Sequence, residues 1–207
     1  MVGSSILPVA KRGNDLFFLF GKENEMEDSA KGFSDFGGSM EKNENRIQTA
    51  LREGTEELSG FFGDKKNMKK IVQKNGGLLH LPFSSDTVHY HVHILPIEYD
   101  PKIVEYFNHQ HSFLWKKMNP HVLNSSKLFE KQQLKWFSVR EMKTKKHLFR
   151  SFYREIVDHI LLHLPTIQSF LNSKSKLWKQ HTTLHSRSCS LFRNKTMKKR
   201  KSTKGGG

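Results

Sequence analysis

The chain has 207 residues, room for one ordinary domain with an appendage, and its 35 Lys and Arg outnumber its 20 Asp and Glu to give a formal net charge of +15. No apolar run approaches the ~20 residues of a membrane span, the N-terminus lacks the pattern of a signal peptide, and a single cysteine, Cys189, leaves no internal disulfide framework or thiolate zinc site. The expectation is an intracellular protein with no membrane span, whose partners are polyanions: nucleic acid, anionic lipid or phosphorylated small molecules.

In chain order, Ser5–Ala10 and Leu16–Phe20 are short β-rich runs joined by the polar cluster Lys11-Arg12-Gly13-Asn14-Asp15, which predicts a hairpin. A helix is predicted over Asn45–Leu58, with Ile47, Ala50 and Leu51 at helical spacing. Leu78–Phe83 and Thr87–Ile97 read as two more strands. The second alternates His89, His91 and His93 with Tyr90, Val92 and Ile94. Leu134–Val139 is a fifth strand. Leu148, Phe152, Ile156 and Ile160 recur every four residues and predict an amphipathic helix over Lys145–Leu164, continuing past Pro165 or into a second short helix. The fold class expected is α/β or α+β, a mixed sheet with helices packed on it.

Charge divides the chain. The last acidic residue is Asp158, and 11 Lys or Arg follow it, so only +4 of the excess belongs to residues 1–158. After about Ser173 apolar periodicity gives way to Ser, Thr, Lys and Gly, which cannot bury enough surface to offset ordering entropy. The predicted division is a domain over 1–173 and a disordered basic tail over 174–207. Lys198-Lys199-Arg200-Lys201 fits a nuclear import signal, an RNA contact or a solubilising end.

Chemistry concentrates between Gly37 and Gly60. On a helix, Glu53, Glu56 and Glu57 share one face. At an effective dielectric of about 20, two such carboxylates ~4 Å apart repel by on the order of 4 kcal/mol, which a multivalent cation among them would relieve. Hard oxygen ligands favour Mg²⁺ or Mn²⁺ over zinc, and Mg²⁺ recruits substrate phosphates. Three alternating histidines on one strand are ~7 Å apart, too far to share one ion, so His89, His91 and His93 read as exposed sheet residues or cleft lining. Phe17, Tyr99, Phe107 and Trp115 read as core rather than as base-stacking platforms.

Gly38, Glu44, Arg52-Glu53 and Glu56-Glu57, at these spacings, resemble the box of the Nudix hydrolases. The chain departs from that box at Gly54 and Ser59, and at Gly60 before Phe61-Phe62. Gly54 inside a helix costs about 1 kcal/mol relative to Ala and implies a close packing contact. The resemblance implies a Nudix-type mixed sheet between helices, with Gly37, Glu44, Glu53, Glu56 and Glu57 at Mg²⁺ or Mn²⁺, Glu53 activating water and Arg52 orienting the glutamates. It further implies a carboxylate from outside the box, for which Glu98 and Glu130 are the candidates. The implied reaction is hydrolysis of a diphosphate linked to another moiety. The wider run Gly32-Phe33-Ser34-Asp35-Phe36-Gly37-Gly38, with Phe129-Glu130-Lys131 and Leu134-Lys135-Trp136-Phe137-Ser138, resembles Nudix proteins of large DNA viruses. That points to removal of messenger RNA caps, with the tail holding RNA, or to small substrates: nucleoside diphosphate derivatives, dinucleoside polyphosphates or diphosphoinositol polyphosphates. A third alternative is a binding module without turnover.

Overall fold

A computed structural model describes residues 2–24, 31–86, 88–119, 121–123 and 130–174. The predicted tail, beyond its first residue, lies outside the described residues, as does Cys189. The described elements are β1 (Val2–Arg12), β2 (Asp15–Glu23), β3 (Phe33–Ser34), β4 (Phe36–Ser39), α1 (Arg46–Glu57), α2 (Lys65–Lys74), β5 (Leu79–Ser84), β6 (His89–Pro96), α3 (Pro101–Lys117), β7 (Lys131–Ser138), α4 (Val139–Thr144), α5 (Tyr153–Leu162) and α6 (164–174).

The strands form one mixed sheet. β1 and β2 make the expected hairpin through Gly13-Asn14, with Gly13 at φ 62°, the positive φ that tight hairpin turns use. The two strands pair only over Val9–Arg12 and Asp15–Phe18 and then part. Into the split goes the short pair β3 and β4: β4 lies antiparallel to Gly3–Ile6 of β1, and β3 lies antiparallel to Gly21 and Lys22 of β2. β6 runs parallel to β1 on its other edge, β5 closes that side, and β7 closes the β2 side.

Helices cover both faces. Ile6, Ala10, Leu19, Phe36, Leu95 and Leu134 bury one face with Ala50 and Leu51 of α1, Met68 of α2 and Phe107 of α3. Leu7, Val9, Phe18, Phe20, Val92 and Phe137 bury the other with Met142 of α4, Ile156 and Ile160 of α5, and Ile167 and Leu171 of α6. The alternation of even and odd β1 residues between the two cores is the period-two rule at work.

The long helix predicted over Lys145–Leu164 is broken. Residues Lys146–Leu148 form a single 3₁₀ turn, and Phe149 then bridges to Phe33 while the Arg150 N–H donates to Phe33 O at 3.1 Å. Backbone pairing with β3 outcompetes helix continuation there, so Leu148 and Phe152 of the four-residue repeat precede the helix. α5 starts at Tyr153, and a second helix, α6, carries the chain past Pro165. β7 begins at Lys131, three residues earlier than expected. α2 and α3 were not anticipated, although Asp64 and Asp100 cap them and Pro101 opens α3.

Candidate active site

α1 enters with its first turn fixed. The Asn45 side chain accepts from Gln48 N at 3.0 Å, and the Gln48 side chain accepts from Asn45 N at 2.8 Å, a reciprocal capping box. The helix then presses onto β1 through its glycine, Gly54, and onto β4 at Gly38. A β-carbon on Gly54 would stand 3.3 Å from Ile6, so this helical glycine marks a close approach of α1 to β1. A β-carbon on Gly38 would lie 2.6 Å from the Glu53 carboxyl carbon, which makes the Gly38 backbone the floor under that carboxylate. The Gly37 N–H donates to Glu57 Oε2 at 2.8 Å.

Arg52 ties the outer carboxylates together. Its Nε and Nη2 donate to the two oxygens of Glu44 at 3.0 Å each, and its Nη1 donates to Glu53 at 2.8 Å and Glu56 at 3.3 Å. A further Nη2 bond reaches Ser39 O at 3.2 Å. This planar fork uses the geometry that suits guanidinium to carboxylates. Hydrogen bonds from Arg52 hold the Glu44 carboxyl down at about 2. Burial raises Glu53 above the ordinary carboxylate range, against the pull of Arg52. Glu56 is 57% exposed and opens the cluster to solvent.

Glu57 faces inward. It meets Lys131 Nζ at 3.1 Å, and Lys131 also pairs with Glu23 and donates to Ser34 Oγ at 3.0 Å. Arg150 Nη1 reaches Glu23 at 2.6 Å. Lys131 lies across Gly21, where a β-carbon would stand 2.7 Å from its Cγ. Burial pushes Glu57 up and would strip Lys131 of its proton, but the two carboxylates outweigh that, and Lys131 stays charged. Beside this network, between β3 and β4, Asp35 accepts from Ser5 Oγ and from Tyr90 Oη, the latter at 2.8 Å, while burial raises its carboxyl to about 6.

The structure thus joins Gly37, Gly38, Glu44, Arg52, Glu53, Glu56 and Glu57. Glu98 does not reach them: it is exposed beyond β6, where Ile97 N–H donates to Val9 O, four residues along β1 from the Ser5–Gly37 pair. Glu130 is anchored through its carbonyl to Asn24 N at 2.9 Å, and it is the next residue, Lys131, that enters the cluster. Lys131, Glu23, Arg150 and Asp35 were not expected at the site. No period-two signal marks Lys131: its parity on β7 runs through Gln133, Lys135 and Phe137, and it turns inward beside a register shift opposite Lys22 and Glu23. Phe107 is core, Phe17 and Tyr99 are half-buried and pack with Trp136 at its edge, and Trp115, half-buried on α3 and stacked on His111 at 5.4 Å, belongs to neither core.

The histidines are grouped rather than spread. His80 on β5 stands opposite His93, and its Nε2 lies 3.0 Å from His91 Nδ1; the His80 and His93 rings stack at 5.0 Å. His93 Nδ1 is 3.1 Å from Ser5 O. Burial lowers the pKa of all three and takes His93 to about 4, while the Arg46 charge adds to the effect at His80 and His91.

Among the described residues no three side chains of His, Cys, Asp or Glu are arranged as they stand to hold a metal ion, and no helix is long and apolar enough to cross a membrane. The donor set nonetheless suits a hard dication. Among the described residues these ion pairs set Glu23, Glu41, Glu44, Glu53, Glu56 and Glu57 against Arg52, Lys131 and Arg150, so the carboxylates outnumber the cations even with Glu57, raised to about 8 by burial, holding its proton. Mg²⁺ is commonly held by one or two carboxylates completed by water and substrate phosphate rather than by an all-protein cage.

No family model matches the sequence, and no curated protein does. Among solved structures, the chain is similar to the binary complex of a C. elegans Ap4A hydrolase at 13% identity, covering 80% of this chain and 98% of that one, with a TM-score of 0.42. A MutT protein from Methanosarcina mazei matches at 13% identity over 76% of this chain and 90% of that one, with a TM-score of 0.42. The NUDIX domain of Shewanella oneidensis NrtR complexed with ADP ribose matches at 11% identity over 79% and 88%, with a TM-score of 0.45.

Proposed function

We propose that the chain is a divalent-metal-dependent pyrophosphohydrolase of the Nudix type that cleaves a diphosphate linked to another moiety. The observation that carries this reading is the mutual grip of loop and helix: Gly38 forms the floor for Glu53, and Gly37 N–H clamps Glu57. A side chain at position 38 would displace the Glu53 carboxylate and one at position 37 would strike Ser5 of β1, so loop, sheet and helix are fitted to one another within this chain.

Glu53 and Glu56, on the open side, would hold Mg²⁺ or Mn²⁺, which when bound supplies neutralisation of phosphate charge. Arg52 keeps both carboxylates in place through one guanidinium. Glu53, its affinity for a proton raised by burial, takes the proton of the attacking water. The water oxygen bonds to phosphorus, the bridging P–O bond breaks, and its electrons leave with the departing phosphate. Lys131 and Gly37 N–H fix Glu57, which fixes the inner wall.

The substrate we favour is a capped RNA end. The wider sequence likeness supports it, as does the +11 carried by the residues after Asp158, which would hold RNA phosphates without regard to sequence. The test supplies Mg²⁺ with cap-labelled RNA, free cap dinucleotide, a dinucleoside tetraphosphate, a diphosphoinositol polyphosphate and ADP-ribose in parallel. Release of a methylated nucleoside diphosphate from RNA supports decapping. Turnover of the small molecules alone rejects decapping and keeps the hydrolase, and RNA binding with no turnover of anything rejects both.

A further inference from the structure

The histidine shelf on β5 and β6 is separate from the carboxylates. In the sheet's own register, Gly38 under Glu53 pairs with Ser4, Ser4 pairs with His91, and His91 pairs with Pro82. The His91 backbone therefore lies two strands, about 10 Å, from that of Gly38. Of the shelf, His91 lines a cleft of about 620 Å³, together with Ser39, Arg46, Phe83, Ser84 and His89, among others.

The two ring nitrogens, 3.0 Å apart, meet as an N–H···N hydrogen bond, one ring donating and the other accepting, so the donor ring must carry its proton on its other nitrogen before both lone pairs can face one ion between His80 and His91. With metal–nitrogen bonds of about 2.05 Å, two nitrogens at this separation subtend roughly 94° at a shared ion, the cis angle of an octahedral or square-planar site. The cross-strand geometry supplies what one strand could not: His80 comes from β5 and brings its nitrogen to His91 without distorting either strand. His93, stacked on His80 with Nδ1 at Ser5 O, holds the His80 ring in plane from the buried side.

We propose that His80 Nε2 and His91 Nδ1 form a two-imidazole site for a borderline transition-metal dication such as Cu²⁺, Ni²⁺ or Zn²⁺, its other positions filled by water from the cleft. Neutral imidazole suits these ions and not Mg²⁺. Arg46 is the cation facing the pair, and its charge opposes occupancy.

The experiment titrates Cu²⁺ into the full chain at pH 7.5 and reads nitrogen coupling by electron paramagnetic resonance and affinity by calorimetry. His80→Gln and His91→Gln should each weaken one site by tenfold or more, and Arg46→Gln should strengthen it severalfold. His163→Gln, in the helical pair His159 and His163 whose rings are 4.3 Å apart, should leave it unchanged. Circular dichroism establishes that each variant is folded. Superimposable titrations of wild type, His80→Gln and His91→Gln would overturn the proposal. So would binding of inorganic phosphate to the shelf in place of Cu²⁺, lost in Arg46→Gln. None of these readouts depends on hydrolysis, so the metal site and the pyrophosphohydrolase reading fail separately.

Discussion

Single residues at the site divide into those exposed to the sequence reader and those hidden from it. Glu53, Glu56 and Glu57 lie within five positions and announce themselves. Lys131 is 74 positions from Glu57 and 108 from Glu23, so only the folded sheet brings the three together. Lys131→Met removes the buried donor that Glu57 and Glu23 share, but Glu23 keeps Arg150 and Glu57, raised by burial, can hold a proton, so the variant should cost about 1–3 kcal/mol in denaturant unfolding. A Lys131→Met, Glu57→Gln double variant should recover part of that loss. Asp35 gives a pH signature. Its folded-state carboxyl sits at about 6 against an ordinary 3.8, so the folded protein binds more protons than the unfolded chain between those values. Stability from this group therefore falls as pH rises through roughly 4 to 6, and the full penalty, about 3 kcal/mol, applies above that window. Asp35→Asn removes the ionisation while its amide oxygen still accepts from Tyr90. Urea unfolding of this variant should show a stability gain at pH 7 that vanishes near pH 4. An equal effect at both pH values would contradict the burial account.

Elements with a strong period were legible, and those built by tertiary pairing were not. Five strands and α1 follow from alternation, helical spacing and Asn45. β3 and β4 are two and four residues long and exist because β1 and β2 part and leave edges to fill. The break before α5 has the same origin, since the partner of Phe149 is Phe33, 116 positions away. Gly54 tests how tightly α1 is seated. Gly54→Ala gains about 1 kcal/mol of helix propensity but places a methyl 3.3 Å from Ile6, and such overpacking costs about 1–3 kcal/mol. The expected outcome is a net loss of up to about 2 kcal/mol by thermal unfolding. The Gly54→Ala, Ile6→Val pair should be closer to wild type. A stabilised Gly54→Ala would mean that α1 is not pressed against β1. At the other end of the helix, Asn45→Ala should cost about 1 kcal/mol by the same measurement.

At the scale of the whole molecule, the +15 resolves into a body of +4 and a C-terminal stretch of +11. Within the body, the charges that matter are arranged acid against base in two linked networks, one around Arg52 and one around Lys131, beneath a loop made of glycine. The sheet sets both: its split receives β3 and β4, and β4 delivers Gly37 and Gly38 to the carboxylates of α1. Removing residues 175–207 should weaken RNA affinity and flatten its salt dependence while leaving small-substrate hydrolysis nearly unchanged. Equal salt slopes with and without those residues would place RNA contact elsewhere. The most direct test of the central claim is the steady-state rate of diphosphate hydrolysis, with and without Mg²⁺, for the wild type and for Glu53→Gln, alongside circular dichroism of both. The account expects turnover that requires Mg²⁺ and falls roughly 100-fold or more in a folded Glu53→Gln. Metal-independent turnover, or a Glu53→Gln rate within tenfold of wild type, would contradict it.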